Sequence, residues 1–136
     1  MSDATTVLLI DNDPHYRNYY AHRLHASRSN YDVVEAATGR SGLDICARQQ
    51  IDCVVLEIDL PDMSGFEVLS KLVPRASHPE IAVIILTRFP NPFLLDVAIK
   101  NGAQAALQKT LGSGDLLAPS IRKAISTVQL LNRVVS

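Results

Sequence analysis

Short runs of β-branched and aliphatic residues alternate along this chain with longer amphipathic segments. The apolar runs cover residues 7–10, 31–37, 52–58, 81–86 and 105–108, and each is followed by a segment with helical periodicity. Five strands and five helices in strict alternation predict a parallel sheet with helices on both faces, joined by right-handed crossovers. The predicted fold is therefore α/β, a (βα)5 doubly wound sheet of five parallel strands.

Local signals mark where several helices begin. Asp13 followed by Pro14 fits an N-cap and a first helical position. Ser64 and Glu67 have the spacing of a capping box, and Pro92 can open the fourth helix. These signals support the alternating order of elements.

The chain of 136 residues is long enough for one folded domain. We assign residues 1–128 to that domain and residues 129–136 to an extension of the last helix. A net charge of −1 argues against direct binding of nucleic acid or a membrane surface. The polar start and the lack of a long apolar run lead us to expect a cytoplasmic protein. Cys46 and Cys53 form no zinc pattern, and we expect both to be small buried hydrophobic residues.

Polar and charged side chains follow four of the predicted strands, at the point where each strand ends. They are, in chain order, Asp11, Asn12, Asp13, Glu57, Asp59, Thr87 and Lys109. The carboxyl ends of parallel strands meet at one edge of the sheet, where α/β folds bind ligands. Carboxylates with a hydroxyl and a lysine suit Mg²⁺ and a phosphoryl group. Singly, each residue has a structural explanation, such as an N-cap for Asp13 or a solvated charge for Lys109. Their joint placement favours a functional site.

The same residues carry a resemblance to a known family. The segments Val7–Pro14, Val55–Gly65, Ile84–Thr87, Gly102–Ala103 and Lys109 resemble, in order and spacing, the motifs of response-regulator receiver domains of two-component phosphorelays. The likeness extends from Thr6 to about Val128, and its most specific part is Leu60–Glu67. It implies a flavodoxin-like receiver fold with a role in signal transduction rather than catalysis. It also implies a histidine kinase or phosphorelay protein, and an output domain or protein, as partners.

The sequence departs from that family at five positions of the site. By the resemblance, Glu57 occupies the place of the phosphoacceptor aspartate and Asn12 that of the second acidic residue. Ala106 replaces the aromatic switch residue, Thr110 a proline, and Arg88 a small residue at the pocket entrance. Glutamate adds one methylene group and moves the carboxylate outward by about an ångström. Phosphoryl transfer depends on placement at that scale, so we expect phosphorylation to be poor or absent.

The resemblance also assigns the remaining site positions. The phosphate-contact and switch positions are Thr87, Ala106 and Lys109, and the metal positions are Asp11, Asn12, Glu57 and Asp59. An amide oxygen at Asn12 ligates Mg²⁺ more weakly than a carboxylate, so we expect any Mg²⁺ site to be weak. Our hypothesis is that Glu57 acts as a fixed anion near Lys109 and Thr87, with about half the charge of an aspartyl phosphate. A guanidinium at Arg88 could cover the pocket and pair with Glu57.

Two other readings stay open for the site. In the first, the chain is a conventional Mg²⁺-dependent phosphoacceptor receiver in which Glu57 is an engineered or tolerated change. In the second, Asp11-Asn12-Asp13 is the nucleophile motif of a haloacid-dehalogenase-type phosphatase. Those enzymes need a further acidic motif at a later strand end, whereas Gly114-Asp115 opens the final helix here, so we do not expect an enzyme.

A third reading treats the fold as a protein-interaction scaffold. By the resemblance, helix 4, strand 5 and helix 5 form the face through which receivers dimerise or meet outputs, so a homodimer there is an alternative. The end of the last helix is apolar and is either a linker to an output domain or a dimer seam. Its apolar residues are Leu130, Leu131, Val134 and Val135.

Overall fold

The computed structural model has ten elements in the order that the sequence predicts. It describes residues 4–27, 30–89, 91–110 and 113–135. The strands are β1 Thr5–Ile10, β2 Tyr31–Ala36, β3 Cys53–Leu56, β4 Ala82–Thr87 and β5 Ala105–Gln108. The helices are α1 Pro14–Ala26, α2 Gly39–Arg48, α3 Gly65–Leu72, α4 Pro92–Lys100 and α5 Ser113–Val135.

The five strands form one parallel sheet in the order β2-β1-β3-β4-β5. This confirms the predicted doubly wound α/β fold. Ile10, the last residue of β1, pairs with Ala36 on one side and Leu56 on the other, so three strands end at the same level. The strand order reverses between β1 and β3, and the loops that follow these strands flank the crevice where such sheets bind ligands.

Hydrophobic residues cover both faces of the sheet, as buried parallel strands require. Alternate strand residues point to opposite faces, so each central strand contributes to two cores. The core beneath α1 and α5 includes Val7, Leu9, Val55, Ile84, Tyr20, Leu24, Leu117 and Ile121. The core beneath α2, α3 and α4 includes Leu8, Ile10, Val54, Ile85, Val68, Leu69 and Ala98.

The helix starts at Asp13 and Asn91 follow the rule for capped helices with proline in the first turn. Asp13 Oδ1 accepts the amide of His15 at 2.9 Å, and Asn91 Oδ1 accepts the amide of Phe93 at 2.9 Å. Each side chain replaces a hydrogen bond that the helix cannot make internally. At α3 the Ser64 hydroxyl accepts the amide of Phe66 at 3.1 Å, so the cap forms one residue earlier than a capping box would place it.

Two predictions about less central parts of the chain need correction or extension. Cys53 is buried as predicted, but Cys46 on α2 is only half-buried. Helix α5 continues past Val128, where Leu130 and Leu131 are 58% and 36% exposed. The side chains of Val134 and Val135, assigned to the same apolar segment, lie outside the described residues. Within the described ranges, no helix combines the length and apolar character that a membrane span requires.

Candidate functional site

Polar side chains from four strand ends meet in a cleft at the carboxyl edge of the sheet. Among the residues that the structure describes, the buried polar or charged ones are Asp11, Glu57, Thr87 and Lys109. All four belong to the set predicted from the strand ends. The adjoining cleft has a volume of about 490 Å³ and is lined by Asp11, Asn12, Asp13, Pro14, His15, Tyr16, Glu57, Asp59, Arg88 and Lys109. A single cleft therefore contains the predicted metal positions and the lysine.

Lys109 lies at the centre of the buried charges. Its Nζ donates to Oδ2 of Asp11 and, at 2.8 Å, to Oε1 of Glu57. The lysine side chain is only 2% exposed, so its ordinary role as a solvated surface charge is excluded. Its Nζ also lies 4.3 Å from the centre of the Tyr16 ring, within the range of a cation–π contact. Two carboxylates and one ammonium give this buried set a net charge of −1.

Glu57 uses both of its carboxylate oxygens within the protein. Oε1 accepts from Lys109, and Oε2 accepts the backbone amides of Ile58 at 2.6 Å and Asp59 at 3.2 Å. Strand β3 ends at Leu56. The chain then turns so that the amides of Ile58 and Asp59 face the side chain of Glu57. The Glu57 carboxylate therefore binds these amides and the lysine at the same time.

The β1–α1 loop holds Asp11 in place through its backbone and its side chain. Oδ1 of Asp11 accepts the amide of Asp13 at 3.0 Å. The carbonyl oxygen of Asp11 accepts from Nη1 of Arg17 at 2.6 Å, and Nε of Arg17 pairs with Glu35 at 3.2 Å. Arg17 therefore ties the end of β1 to α1 and β2. The sequence pattern did not indicate a role for Arg17, although its place on the first turn of α1 beside three strand ends was a usable signal.

The carboxylates keep Lys109 charged despite its burial. Burial by itself pulls the pKa of Lys109 down, but the hydrogen bonds and charges of Asp11 and Glu57 outweigh it and raise that pKa above its usual value. The ammonium is therefore a permanent cation at neutral pH. It offsets part of the electrostatic cost of holding two carboxylates at one buried edge.

Arg88 makes contacts that the sequence did not indicate, whereas Thr87 and Ala106 lie in the strands predicted for them. Arg88 does not pair with Glu57; its Nη2 lies 4.0 Å from Asp59 and its guanidinium 5.7 Å from the centre of the Phe89 ring. The prediction of an Arg88–Glu57 pair is wrong because Arg88 follows the last residue of β4 and points to solvent. Thr87 is fully buried and accepts the amide of Phe89 at 3.3 Å. Ala106 is half-buried in β5 against the core beneath α2, α3 and α4.

The four metal positions do not converge as a ligand set. Asp11 and Glu57 are buried and accept hydrogen bonds from Lys109 through their facing oxygens, while Asn12 and Asp59 are exposed at the rim. In the described part of the chain, no group of three or more His, Cys, Asp or Glu residues could hold a metal ion. With the side chains arranged in this way, the donors do not fit a divalent cation that demands near-octahedral oxygen ligation.

Comparisons with known proteins agree on one family. Residues 7–120 match the model of the response regulator receiver domain. The chain is 31% identical to the transcriptional regulatory protein KdpE of Mycobacterium tuberculosis over 134 residues, which are 96% of this chain and 57% of that protein. It is 28% identical to the nitrate/nitrite response regulator protein NarL of Escherichia coli over 115 residues, which are 85% of this chain and 52% of that protein. The chain thus spans about half the length of the curated relatives it matches.

A solved structure shows the same architecture. The signal receiver domain of a putative LuxO repressor protein from Vibrio parahaemolyticus is 26% identical and superposes with a TM-score of 0.84, covering 98% of both chains. The two chains therefore share the same overall fold.

Proposed function

This chain belongs to the response regulator receiver family, and on that premise we propose that it is a receiver that signals without being phosphorylated, with Glu57 as a fixed charge in the phosphoacceptor position. Receiver domains of response regulators are typically signalling modules rather than enzymes, and we propose the same for this chain. They interact with histidine kinases and output domains. For this chain we propose an output domain or protein as the main partner.

The engagement of both Glu57 oxygens carries the proposal. An acceptor carboxylate must present an oxygen to the incoming phosphorus in line with the leaving group. Glu57 is 4% exposed, and its oxygens are held by Lys109 and by two backbone amides. Attack on a phosphodonor would weaken at least one of these hydrogen bonds in a buried environment, which is unfavourable.

The charge at Glu57 supports a single fixed state. One carboxylate beside Lys109 supplies about half the charge of an aspartyl phosphate. Ala106 has no aromatic ring to change position in response to a phosphoryl group. We therefore propose that the domain holds one conformation that its partner reads directly, rather than switching between two.

Phosphorylation chemistry tests the proposal directly. Wild type, Glu57→Asp and the surface control Glu80→Asp are incubated with acetyl phosphate and Mg²⁺, then measured by intact mass. We expect wild type and the control to gain no stable phosphoryl group. A stable phosphoryl group on wild type refutes the proposal, and peptide mapping then distinguishes Glu57 from the exposed Asp59 as its site.

Phosphorylation of the Glu57→Asp variant tests the alternative that the chain is a conventional receiver. Rapid Mg²⁺-dependent phosphorylation of this variant would mean that the rest of the pocket is competent and that Asn12 matters little. No phosphorylation of the variant would mean that Asn12 or the pocket entrance also blocks the reaction. In either case the wild-type result decides whether the natural chain is an acceptor.

We also propose that the receiver domain ends near Val128 and that residues 129–136 form a linker or dimer seam. The exposed Leu130 and Leu131 support this division. We expect a chain truncated after Val128 to keep its melting temperature, because the described side chains of residues 129–133 are exposed. Light scattering of both forms tests the seam, and monomers in both cases reject it.

A further inference from the structure

The buried lysine already occupies the place where a cation would bind. Nζ of Lys109 lies between Oδ2 of Asp11 and Oε1 of Glu57 and donates to both. We propose that Lys109 is the resident cation of this pocket, and that its ammonium competes with divalent cations for the same two carboxylate oxygens. The inference does not depend on whether Glu57 accepts a phosphoryl group.

The geometry makes the two cations mutually exclusive. Mg²⁺ binds oxygen ligands at about 2.0–2.1 Å and tolerates little distortion of an octahedral arrangement. The facing oxygens of Asp11 and Glu57 are the ones that Lys109 contacts, so a metal between them would overlap the ammonium. A metal beside them would be repelled by a positive charge only a few ångströms away, in surroundings where water screens poorly.

The other oxygens of the two buried carboxylates are also in use. Oδ1 of Asp11 accepts the amide of Asp13, and Oε2 of Glu57 accepts the amides of Ile58 and Asp59. These donors are fixed backbone groups that cannot turn away. An entering metal would therefore have to displace either the lysine or part of two loops.

Two contacts hold the lysine in its place. The backbone amide of Lys109 donates to the carbonyl oxygen of Thr87 at 2.7 Å, which fixes the start of the side chain. The Tyr16 ring lies 4.3 Å from Nζ and covers the ammonium on the side of α1. A side chain anchored at its base and covered at its tip does not swing out to admit a metal.

Metal titration of lysine variants tests the competition. Wild type, Lys109→Met and Lys100→Met are titrated with Mn²⁺ and followed by water-proton relaxation and by melting temperature. Lys100 is an exposed lysine paired with Asp96 at 3.0 Å, so its variant matches the loss of an ion-paired lysine without touching the pocket. We expect Lys109→Met to bind Mn²⁺ at least about tenfold more tightly than wild type, a difference of one decade in Kd. We expect Lys100→Met to equal wild type.

Opposite results overturn the inference. It is wrong if wild type binds Mn²⁺ as tightly as Lys109→Met, or if a folded Lys109→Met gains no affinity. If Lys109→Met does not fold with or without Mn²⁺, the comparison moves to the Glu57→Gln background, where one of the two repelling charges is absent. There Lys109→Met must again bind Mn²⁺ more tightly than Glu57→Gln alone. No phosphodonor is present, so the outcome is independent of the phosphorylation test.

Discussion

Gly65 begins α3 against the loop that carries Glu57, and the structure leaves no room there for a side chain. A methyl group at Gly65 would lie 2.4 Å from the carbonyl oxygen of Glu57 and 2.7 Å from Cα of Ile58. The amide of Gly65 also donates to the carbonyl oxygen of Ile58 at 2.7 Å. We predict that Gly65→Ala pushes α3 away from this loop and destabilises the domain.

The size of the effect follows from these distances. Non-bonded carbon atoms pack about 3.5 Å apart, so the helix or the loop has to move by about 1 Å. Overpacking costs about 1–3 kcal/mol, and the upper half applies because the obstacle is backbone rather than a rotatable side chain. Alanine returns about 0.5–1 kcal/mol through its better helix propensity. The net loss is about 2 kcal/mol in the free energy of unfolding, or about 6–10 °C in Tm for a domain of this size.

Gly42 provides the matched control. A methyl group at Gly42 would meet Cδ1 of Ile10 at 2.3 Å and Cγ1 at 2.8 Å, which are atoms of a side chain that can rotate rather than backbone. Urea unfolding followed by circular dichroism gives the free energy of unfolding of wild type and both variants. We expect Gly42→Ala to lose at least about 1 kcal/mol less than Gly65→Ala, since only a rotamer has to change. A Gly65→Ala variant as stable as wild type, or less affected than Gly42→Ala, would refute the reasoning.

Two further predictions concern the α2 side of the domain. Asp62→Ala should lower Tm at neutral pH, because the carboxylate accepts the amides of Gly39 and Arg40 at 2.9 Å each. The amide hydrogen bonds from Arg40 and Gly39 hold the pKa of Asp62 below its usual value, so this stabilisation is present above about pH 3.9 and is lost as the pH falls through the lowered pKa. Paired melts at neutral and acid pH check both points, and equal Tm values at neutral pH would contradict the prediction. A thiol reagent should label Cys46 in the native protein, because this side chain is only half-buried. It should label Cys53 only on unfolding, because Cys53 is fully buried; burial raises the pKa of both thiols. Peptide mapping checks the order of labelling.

The fold could be predicted because apolar runs and capping residues are local signals. The ends of β3 could not, because pairing with a neighbour sets them. The apolar run from residue 52 to 58 predicts a longer strand, but β3 stops at Leu56, where its partner β1 stops at Ile10. At the other end Asp52 accepts the amide of Thr6 at 2.8 Å through its side chain. Contacts between distant segments decide such boundaries, and one sequence does not reveal them.

Most residues that line the cleft could be predicted from the strand ends, but the partners of each charge could not. Arg88 and Lys109 were both cations near Glu57, and sequence spacing favours neither. The structure selects Lys109 because its amide continues the pairing of β5 with β4 through the Thr87 carbonyl, which directs the side chain inward. Arg88 follows Thr87 by one residue and therefore points the other way. The contacts of Arg17 with the Asp11 carbonyl and with Glu35 likewise depend on how α1 packs against the ends of β1 and β2.

Asn12 and Glu57 are better understood as one electrostatic change than as two separate losses. With an amide at position 12, the buried carboxylates are Asp11 and Glu57, and one lysine balances all but one of their charges. A third carboxylate would raise the imbalance and favour a divalent cation. Glu57→Asp leaves the charge of the pocket unchanged and alters only the reach of the side chain, whereas Asn12→Asp alters the charge and leaves Glu57 in place. If Lys109 is the resident cation, Asn12→Asp should raise Mn²⁺ affinity more than Glu57→Asp does, because the added charge is one that the lysine cannot neutralise.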